Sequence, residues 1–138
     1  MILLVEDNED DEELTLRAFK RHHVSDEVVI VRTGEEALDF LFGAGLYAGR
    51  DTTIAPVLTL LDLNLPKIDG YEVLRQIRAD ERTKDLRVVV LISSKRDEVA
   101  FSKVSGPTSY IRKPVAFPEL ASAAQKLGLA WPLPRPGP

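Results

Sequence analysis

Short apolar segments alternate along the chain with longer segments in which apolar residues recur every three or four positions. The short segments lie at 2–5, 28–31, 58–66 and 88–92 and around Tyr110 and Ile111. They are almost continuously apolar, which is typical of strands covered on both faces of a parallel sheet. The pattern therefore predicts five buried β-strands.

The intervening segments have the spacing and the start signals of helices. Thr33 with Glu36 forms a capping box, and Asp69 with Glu72 forms a similar arrangement. Pro118 is well placed in the first turn of a last helix. The segment 97–104 predicts a weaker helix before the fifth strand.

The first helix is predicted to start near Asp10, which with Glu13 resembles a capping arrangement, and to reach about residue 22. Its periodicity directs Leu14, Ala18 and Phe19 to the interior.

A strand followed by a helix, repeated five times, predicts an α/β fold with a doubly wound, five-stranded parallel sheet. Right-handed crossovers then place helices on both faces of the sheet. The common strand order for five strands is 2-1-3-4-5, and we expect that order here.

Composition narrows the possible function classes. The chain has 138 residues, of which 44% are hydrophobic and 29% charged, as expected for one globular domain. The net charge of −4 argues against nucleic acid or an anionic membrane as the main partner. Cysteine is absent, and we find neither a signal-peptide pattern nor an apolar run near the roughly 18 residues of a membrane span. These features predict a cytoplasmic protein.

Asp62 is the acid around which the candidate chemistry is arranged. It ends the predicted third strand, and Pro66 prevents further pairing of that strand. Open α/β sheets bind ligands at the carboxyl ends of their strands. Asp62 is therefore either part of a ligand site or only the start of a turn.

The other strands also end in polar residues, which a parallel sheet brings to one edge. These residues are Glu6 and Asp7 after strand one, Asn64 after strand three, Ser93 and Ser94 after strand four, and Lys113 after strand five. Taken singly, each has a structural explanation as a helix cap, a turn residue or a solvated lysine. Three crowded carboxylates, however, repel each other unless a cation lies between them, and Mg²⁺ prefers such oxygen ligands. Together the residues fit an aspartate that attacks phosphorus while a metal ion and a lysine neutralise charge.

Three motifs resemble the receiver domain of two-component response regulators. They are Val5-Glu6-Asp7-Asn8, the segment Leu61-Asp62-Leu63-Asn64-Leu65-Pro66 with the following Asp69-Gly70, and Tyr110-Ile111-Arg112-Lys113-Pro114. The resemblance covers about residues 2–127 and implies a flavodoxin-like (βα)5 fold. It also implies that a sensor histidine kinase supplies the phosphoryl group.

The resemblance assigns a role to each matching residue. It makes Asp62 the phosphoacceptor, Glu6 and Asp7 the acidic pair that holds Mg²⁺ with Asp62, and Asn64 a metal ligand through its backbone carbonyl. Lys113 would contact the phosphoryl group, and its bond to Pro114 is usually cis in the family. Tyr110 matches the aromatic switch residue, although a plain core tyrosine of strand five is the alternative.

One position departs from the family pattern. The family has Thr or Ser at the end of strand four, where direct matching places Ile92. Because a shift of one residue reverses the face on which a strand residue lies, either Ser93 takes the switch role or the hydroxyl contact is weakened. We expect Ser93 to take that role.

Within the family, the segment from Phe40 to Pro56 is similar to that of single-domain regulators paired with bacterial phytochrome kinases. The predicted organisation is a receiver domain at 1–127 and a Pro-rich tail at 128–138. Such a protein would signal through partner binding or through a homodimer. In the family the dimer face is formed by the fourth helix, the fifth strand and the fifth helix, and Trp131 and Leu133 would either extend it or pack on their own domain.

Two other functions remain open at this point. A Mg²⁺-dependent phosphohydrolase generally has a second acid two residues after its nucleophile, whereas this chain has Asn64 there. A degenerate receiver could act as a phosphate-independent scaffold, which Ile92 leaves open. The favoured interpretation is a phosphoacceptor signalling module that catalyses its own phosphorylation and dephosphorylation but is not a turnover enzyme.

Overall fold

The structure is a computed structural model that describes residues 1–24, 26–94, 97 and 106–130. Its strands are β1 (Ile2–Val5), β2 (Val28–Val31), β3 (Leu58–Asp62), β4 (Val88–Ile92) and β5 (Thr108–Arg112). Its helices are α1 (Glu9–Arg21), α2 (Gly34–Phe42), α3 (Gly70–Ala79) and α4 (Phe117–Lys126), with a short 3-10 helix at Gly45–Tyr47.

The five strands form one parallel sheet in the order β2-β1-β3-β4-β5. This order confirms the predicted doubly wound α/β fold. In its register Val5 lies beside both Val31 and Leu61, and Asp62 lies beside Leu91. The carboxyl ends of the strands therefore meet at one edge.

Each face of the sheet buries its own apolar cluster, because neighbouring strand residues point to opposite faces. Leu3 and Val5 of β1 pack with Leu74 of α3 on one face. Leu4 packs with Leu120 of α4 on the other. The two layers hold the strand ends in place from both sides.

Helices α2 and α3 begin where capping side chains accept backbone hydrogen bonds. The Thr33 side chain accepts from the backbone N–H of Glu36, and the Asp69 side chain accepts from that of Glu72, both at 3.0 Å. These caps confirm the predicted starts of α2 and α3.

Helix α1 differs from its prediction in two details. It begins at Glu9 and is capped by Asn8 rather than Asp10. Leu14 is 45% exposed, and Thr15 is buried instead, donating its hydroxyl to the Asp11 carbonyl. The predicted inward direction of Leu14 is therefore wrong, whereas that of Phe19 is confirmed.

The predicted helix at 97–104, apart from Asp97, and the tail with Trp131 and Leu133 lie outside the described residues. Within the described part of the chain, no helix has both the length and the apolar character needed to cross a bilayer.

Candidate functional site

Four of the predicted site residues meet at the carboxyl edge of the sheet. Glu6 and Asp7 directly follow β1, Asp62 is the last residue of β3, and Lys113 directly follows β5. Carboxylate oxygens of Glu6, Asp7 and Asp62 all lie within 4.8 Å of one another. The topology thus assembles the predicted acid group from two strands.

Lys113 lies between the acids. Its Nζ atom is 2.6 Å from Oδ2 of Asp62, 2.9 Å from Oδ2 of Asp11 and 3.2 Å from Oε2 of Glu6. Burial alone would lower the pKa of the Lys113 ammonium, but the hydrogen bonds to Asp62, Asp11 and Glu6 outweigh it and raise that pKa. Lys113 therefore remains charged at neutral pH.

Glu6 is fully buried, and its two oxygens have different surroundings. Oε1 lies 3.0 Å from Lys113 Nζ. That contact lacks the angles of a hydrogen bond, so Oε1 has no hydrogen-bond partner among the described residues. Burial and, after it, the neighbouring carboxylate of Asp62 raise the pKa of Glu6 to about 8.

The donor set fits a divalent cation. Glu6 offers a buried oxygen that has no hydrogen-bond partner among the described residues, and the exposed Asp7 and the buried Asp62 each bring a carboxylate oxygen to the same group. Carboxylate oxygens with room for water are the ligands that Mg²⁺ prefers. A cation at this position would also stabilise the charged form of Glu6 against burial and the neighbouring Asp62, which raise its pKa.

Both carboxylate oxygens of Asp62 accept hydrogen bonds. Oδ1 accepts from the backbone N–H of Asn64 at 2.9 Å, and Oδ2 accepts from Lys113. Asp62 is 1% exposed, although it lies at the edge of the sheet. The alternative in which Asp62 only starts a turn does not account for its contact with Lys113.

The end of β4 places an apolar residue where the family pattern has a hydroxyl. Ile92 is the last residue of β4 and lies fully buried in the cluster that contains Leu61 and Val73. Ser93 is exposed, and its hydroxyl accepts a hydrogen bond from the Asn64 side-chain amide at 2.8 Å. Ser93 thus reaches Asp62 through Asn64.

Tyr110 lies in β5 beside Val90 of β4 and is 39% exposed. Tyr110 is therefore not a core residue, and the alternative of a plain core tyrosine in strand five is wrong. Its neighbour Ile111 takes the core position instead, with 5% exposure.

Two features of the site escaped the sequence analysis. Asp11 joins Lys113 from helix α1, although it ends no strand. Asp97 accepts from the backbone N–H of Ser93 at 3.2 Å, and its carbonyl accepts from the Tyr71 hydroxyl at 2.7 Å. The only signal for Asp11 was its position three residues after Asn8, in the first turn of the helix.

Comparisons with other proteins agree with this geometry. The model of the response regulator receiver domain family matches residues 2–125. FilR2, a probable methanogenesis regulatory protein of Methanothrix harundinacea, is 39% identical over 132 residues, which cover 95% of this chain and 83% of FilR2. The response regulator Rcp1 of Synechocystis sp. is 36% identical over 132 residues, covering 95% of this chain and 88% of Rcp1.

Solved structures show the same relationship. The bacteriophytochrome response regulator AtBRR superposes with a TM-score of 0.87 and 42% identity, covering 98% of this chain and 96% of AtBRR. The Mn²⁺-bound form of Rcp1 superposes with a TM-score of 0.71 and 36% identity, covering 92% of this chain and 88% of the Rcp1 chain. The fold, the acid group and these matches lead to one conclusion: the chain belongs to the response regulator receiver domain family.

Proposed function

We propose that this receiver accepts a phosphoryl group from a sensor histidine kinase on Asp62 and thereby changes its binding to partners. One observation carries the proposal above all: Asp62 ends the central strand within hydrogen-bond distance of Lys113 and within 4.8 Å of Glu6 and Asp7. The interpretation as a phosphate-independent scaffold gives no reason for this arrangement.

In the proposed reaction an oxygen of Asp62 attacks the phosphorus atom of a phosphohistidine. The new O–P bond forms as the P–N bond breaks, and the imidazole leaves with the bonding electron pair and takes up a proton. Lys113 keeps its charge and donates a hydrogen bond to the phosphoryl group. The backbone N–H of Asn64 orients the acceptor through Oδ1.

Glu6, Asp7 and Asp62 would hold Mg²⁺, with the Asn64 backbone carbonyl as a further ligand. When bound, the ion neutralises charge that develops on the phosphoryl oxygens. The Mn²⁺-bound form of Rcp1 shows that a relative takes up a divalent cation. We propose the same chemistry for this chain, with the protein acting as a signalling module in the cytoplasm rather than as a turnover enzyme.

The kinase partner is proposed to be of the phytochrome type. AtBRR, described as a bacteriophytochrome response regulator, supports this pairing. FilR2, described as a probable methanogenesis regulator, shows that relatives with similar identity serve other systems. Phosphate transfer from a purified phytochrome kinase would test the pairing directly.

We propose that phosphorylation is communicated through Ser93 and Tyr110 to a homodimer interface on the β5 side of the sheet. Ser93 is joined to the acceptor through Asn64, and Tyr110 is exposed at a shallow groove between β5 and α4. Sedimentation with and without a beryllofluoride analogue of the phosphate would measure the change in assembly. Loss of that change in Tyr110→Ala would support the proposed interface, whereas an unchanged response would contradict it.

The phosphoacceptor is tested by the mass of the intact protein after incubation with acetyl phosphate and Mg²⁺. We expect one added phosphoryl group in the wild type and in Asp10→Asn, an exposed acid in helix α1. We expect none in Asp62→Asn and none when the metal is chelated.

Rapid dephosphorylation would also leave no added mass, so beryllofluoride binding is measured in parallel. Binding by the wild type but not by Asp62→Asn would support the acceptor. Failure of both measurements in the wild type would overturn the proposed function and favour the scaffold.

A further inference from the structure

Helix α1 supplies Lys113 with a carboxylate that has no role in the chemistry proposed above. Oδ2 of Asp11 lies 2.9 Å from Lys113 Nζ, a shorter contact than the one to Oε2 of Glu6. Yet the acids whose oxygens lie within 4.8 Å of one another are Glu6, Asp7 and Asp62, and Asp11 is not among them. Asp11 is thus a partner of the lysine rather than a candidate metal ligand.

The three carboxylates around Lys113 differ in what the reaction does to them. Asp62 becomes an acyl phosphate, so its carboxyl group loses the negative charge that holds the ammonium group. Glu6 is a proposed ligand of the cation, which competes with Lys113 for the same side chain. Asp11 lies outside both events. Of the three carboxylates, Asp11 is therefore the one that remains an unmodified anionic partner of Lys113 while the phosphoryl group is transferred.

The backbone of Asp11 is fixed in the first turn of α1. Its backbone N–H donates to Oδ1 of Asn8 at 3.0 Å, and its carbonyl accepts from the Thr15 hydroxyl at 3.0 Å. Lys113, by contrast, carries its charge at the end of a flexible four-carbon stem that loses conformational entropy when it is held in one place. A carboxylate carried on this fixed backbone reduces the number of positions that the ammonium group can occupy.

We propose that Asp11 is a positioning residue, which holds the Lys113 ammonium group beside the acceptor while the phosphoryl group is transferred to Asp62. The inference rests on the proposed function of Asp62. It adds helix α1 to the elements that determine the rate of the reaction.

The test compares Asp11→Asn with Asp10→Asn in full-length protein. Both substitutions remove one negative charge from the first turn of α1, but Asp10 is exposed and only Asp11 contacts Lys113. With acetyl phosphate as donor and saturating Mg²⁺, we expect the maximal phosphorylation rate to fall by roughly tenfold in Asp11→Asn. We expect it to stay within about twofold of the wild type in Asp10→Asn. Equal rates in the two variants would overturn the inference.

A double-mutant cycle separates positioning from a general structural role. If Asp11 acts through Lys113, Asp11→Asn causes no further loss in a Lys113→Gln background. An equal loss of phosphorylation rate in both backgrounds would contradict the inference. A lower rate in Asp11→Asn that is fully explained by a lower melting temperature would contradict it as well. Asp11→Glu, which keeps the charge, should recover most of the rate.

The two proposals fail in different ways. If the wild type is not phosphorylated at all, the function of Asp62 is wrong and the role of Asp11 is wrong with it. If the wild type is phosphorylated and Asp11→Asn matches Asp10→Asn, only the role of Asp11 is wrong.

Discussion

The buried carboxyl group of Glu6 shows why a cation site reduces the stability of the metal-free protein. Its carboxyl group is fully buried, and Oε1 has no hydrogen-bond partner in the described part of the chain. Burial and the neighbouring Asp62 raise its pKa to about 8, so the metal-free site retains a proton at neutral pH. A bound cation would compete with that proton.

This raised pKa predicts the pH dependence of stability without metal. The folded protein binds the Glu6 proton more tightly than the unfolded chain, in which the pKa of this carboxyl group lies near its ordinary value of 4.5. The contribution of Glu6 is therefore fully present below that value and is lost as the pH rises to about 8. We expect the free energy of unfolding in chelator to fall by a few kcal/mol across this range.

Urea denaturation at a series of pH values measures the effect. The fall should be smaller in Glu6→Gln and in saturating Mg²⁺, and it should persist in Glu35→Gln, which alters an exposed glutamate. An unchanged pH dependence in Glu6→Gln would show that Glu6 does not retain the proton.

At the scale of secondary-structure elements, Gly70 links the start of α3 to the acceptor strand. A Cβ atom at Gly70 would lie 2.5 Å from the Asp62 carbonyl oxygen and 2.6 Å from Cα of Leu63. Both neighbours are backbone atoms, so neither can turn away as a flexible side chain could. The helix approaches the strand this closely because residue 70 has no side chain.

Gly70→Ala should therefore move α3 away from the end of β3. We expect a loss of about 1–3 kcal/mol in the free energy of unfolding, as for overpacked cores, together with slower phosphorylation of Asp62 by acetyl phosphate. Gly128→Ala is the control, because Gly128 has φ +80° and, apart from its chain neighbours, no atom of the described residues lies within 4 Å of the added Cβ. It should show only a backbone cost of about 1–2 kcal/mol and a normal phosphorylation rate. A normal rate in Gly70→Ala would show that this close approach does not affect the acceptor.

Local patterns were sufficient to predict most elements. The strands Ile2–Val5, Val28–Val31 and Val88–Ile92 have the predicted bounds, because buried parallel strands are apolar on both faces. The caps Thr33 and Asp69 were equally predictable, since each side chain accepts a hydrogen bond from a backbone N–H only three residues further along the chain.

Contacts between distant segments were not predictable in the same way. The sequence placed Leu14 inside, but the rotation of α1 on the sheet depends on tertiary packing and buries Thr15 instead. The pair Asp11 and Lys113 is separated by 102 positions and depends on that same rotation. The hydrogen bond between Asn64 and Ser93 was missed because the resemblance gave Asn64 a role through its backbone only.

At the scale of the whole molecule, the sheet brings together acids that would otherwise repel each other. Two apolar layers hold the ends of β1, β3 and β5 together. The free energy gained by burying these layers offsets the repulsion between the acids. Lys113 offsets part of the negative charge within the protein. A cation would offset more of it, and its binding would therefore stabilise the entire fold by mass action.

Asp7 allows this linkage to be tested without disturbing the core. Its side chain is exposed and belongs to the acid group, whereas Glu6 and Asp62 are buried. Asp7→Asn should therefore change the metal-free unfolding free energy by no more than about 0.5 kcal/mol, as is usual for surface substitutions. Mg²⁺ at 100 times its dissociation constant should stabilise the wild type by about 2.7 kcal/mol, and Asp7→Asn should lose most of that gain at the same concentration.

Thermal unfolding with and without Mg²⁺ measures both effects, with Asp10→Asn as the control that keeps the gain. If Asp7→Asn is stabilised by Mg²⁺ as strongly as the wild type, Asp7 is not a ligand and the proposed cation site must be formed by other residues.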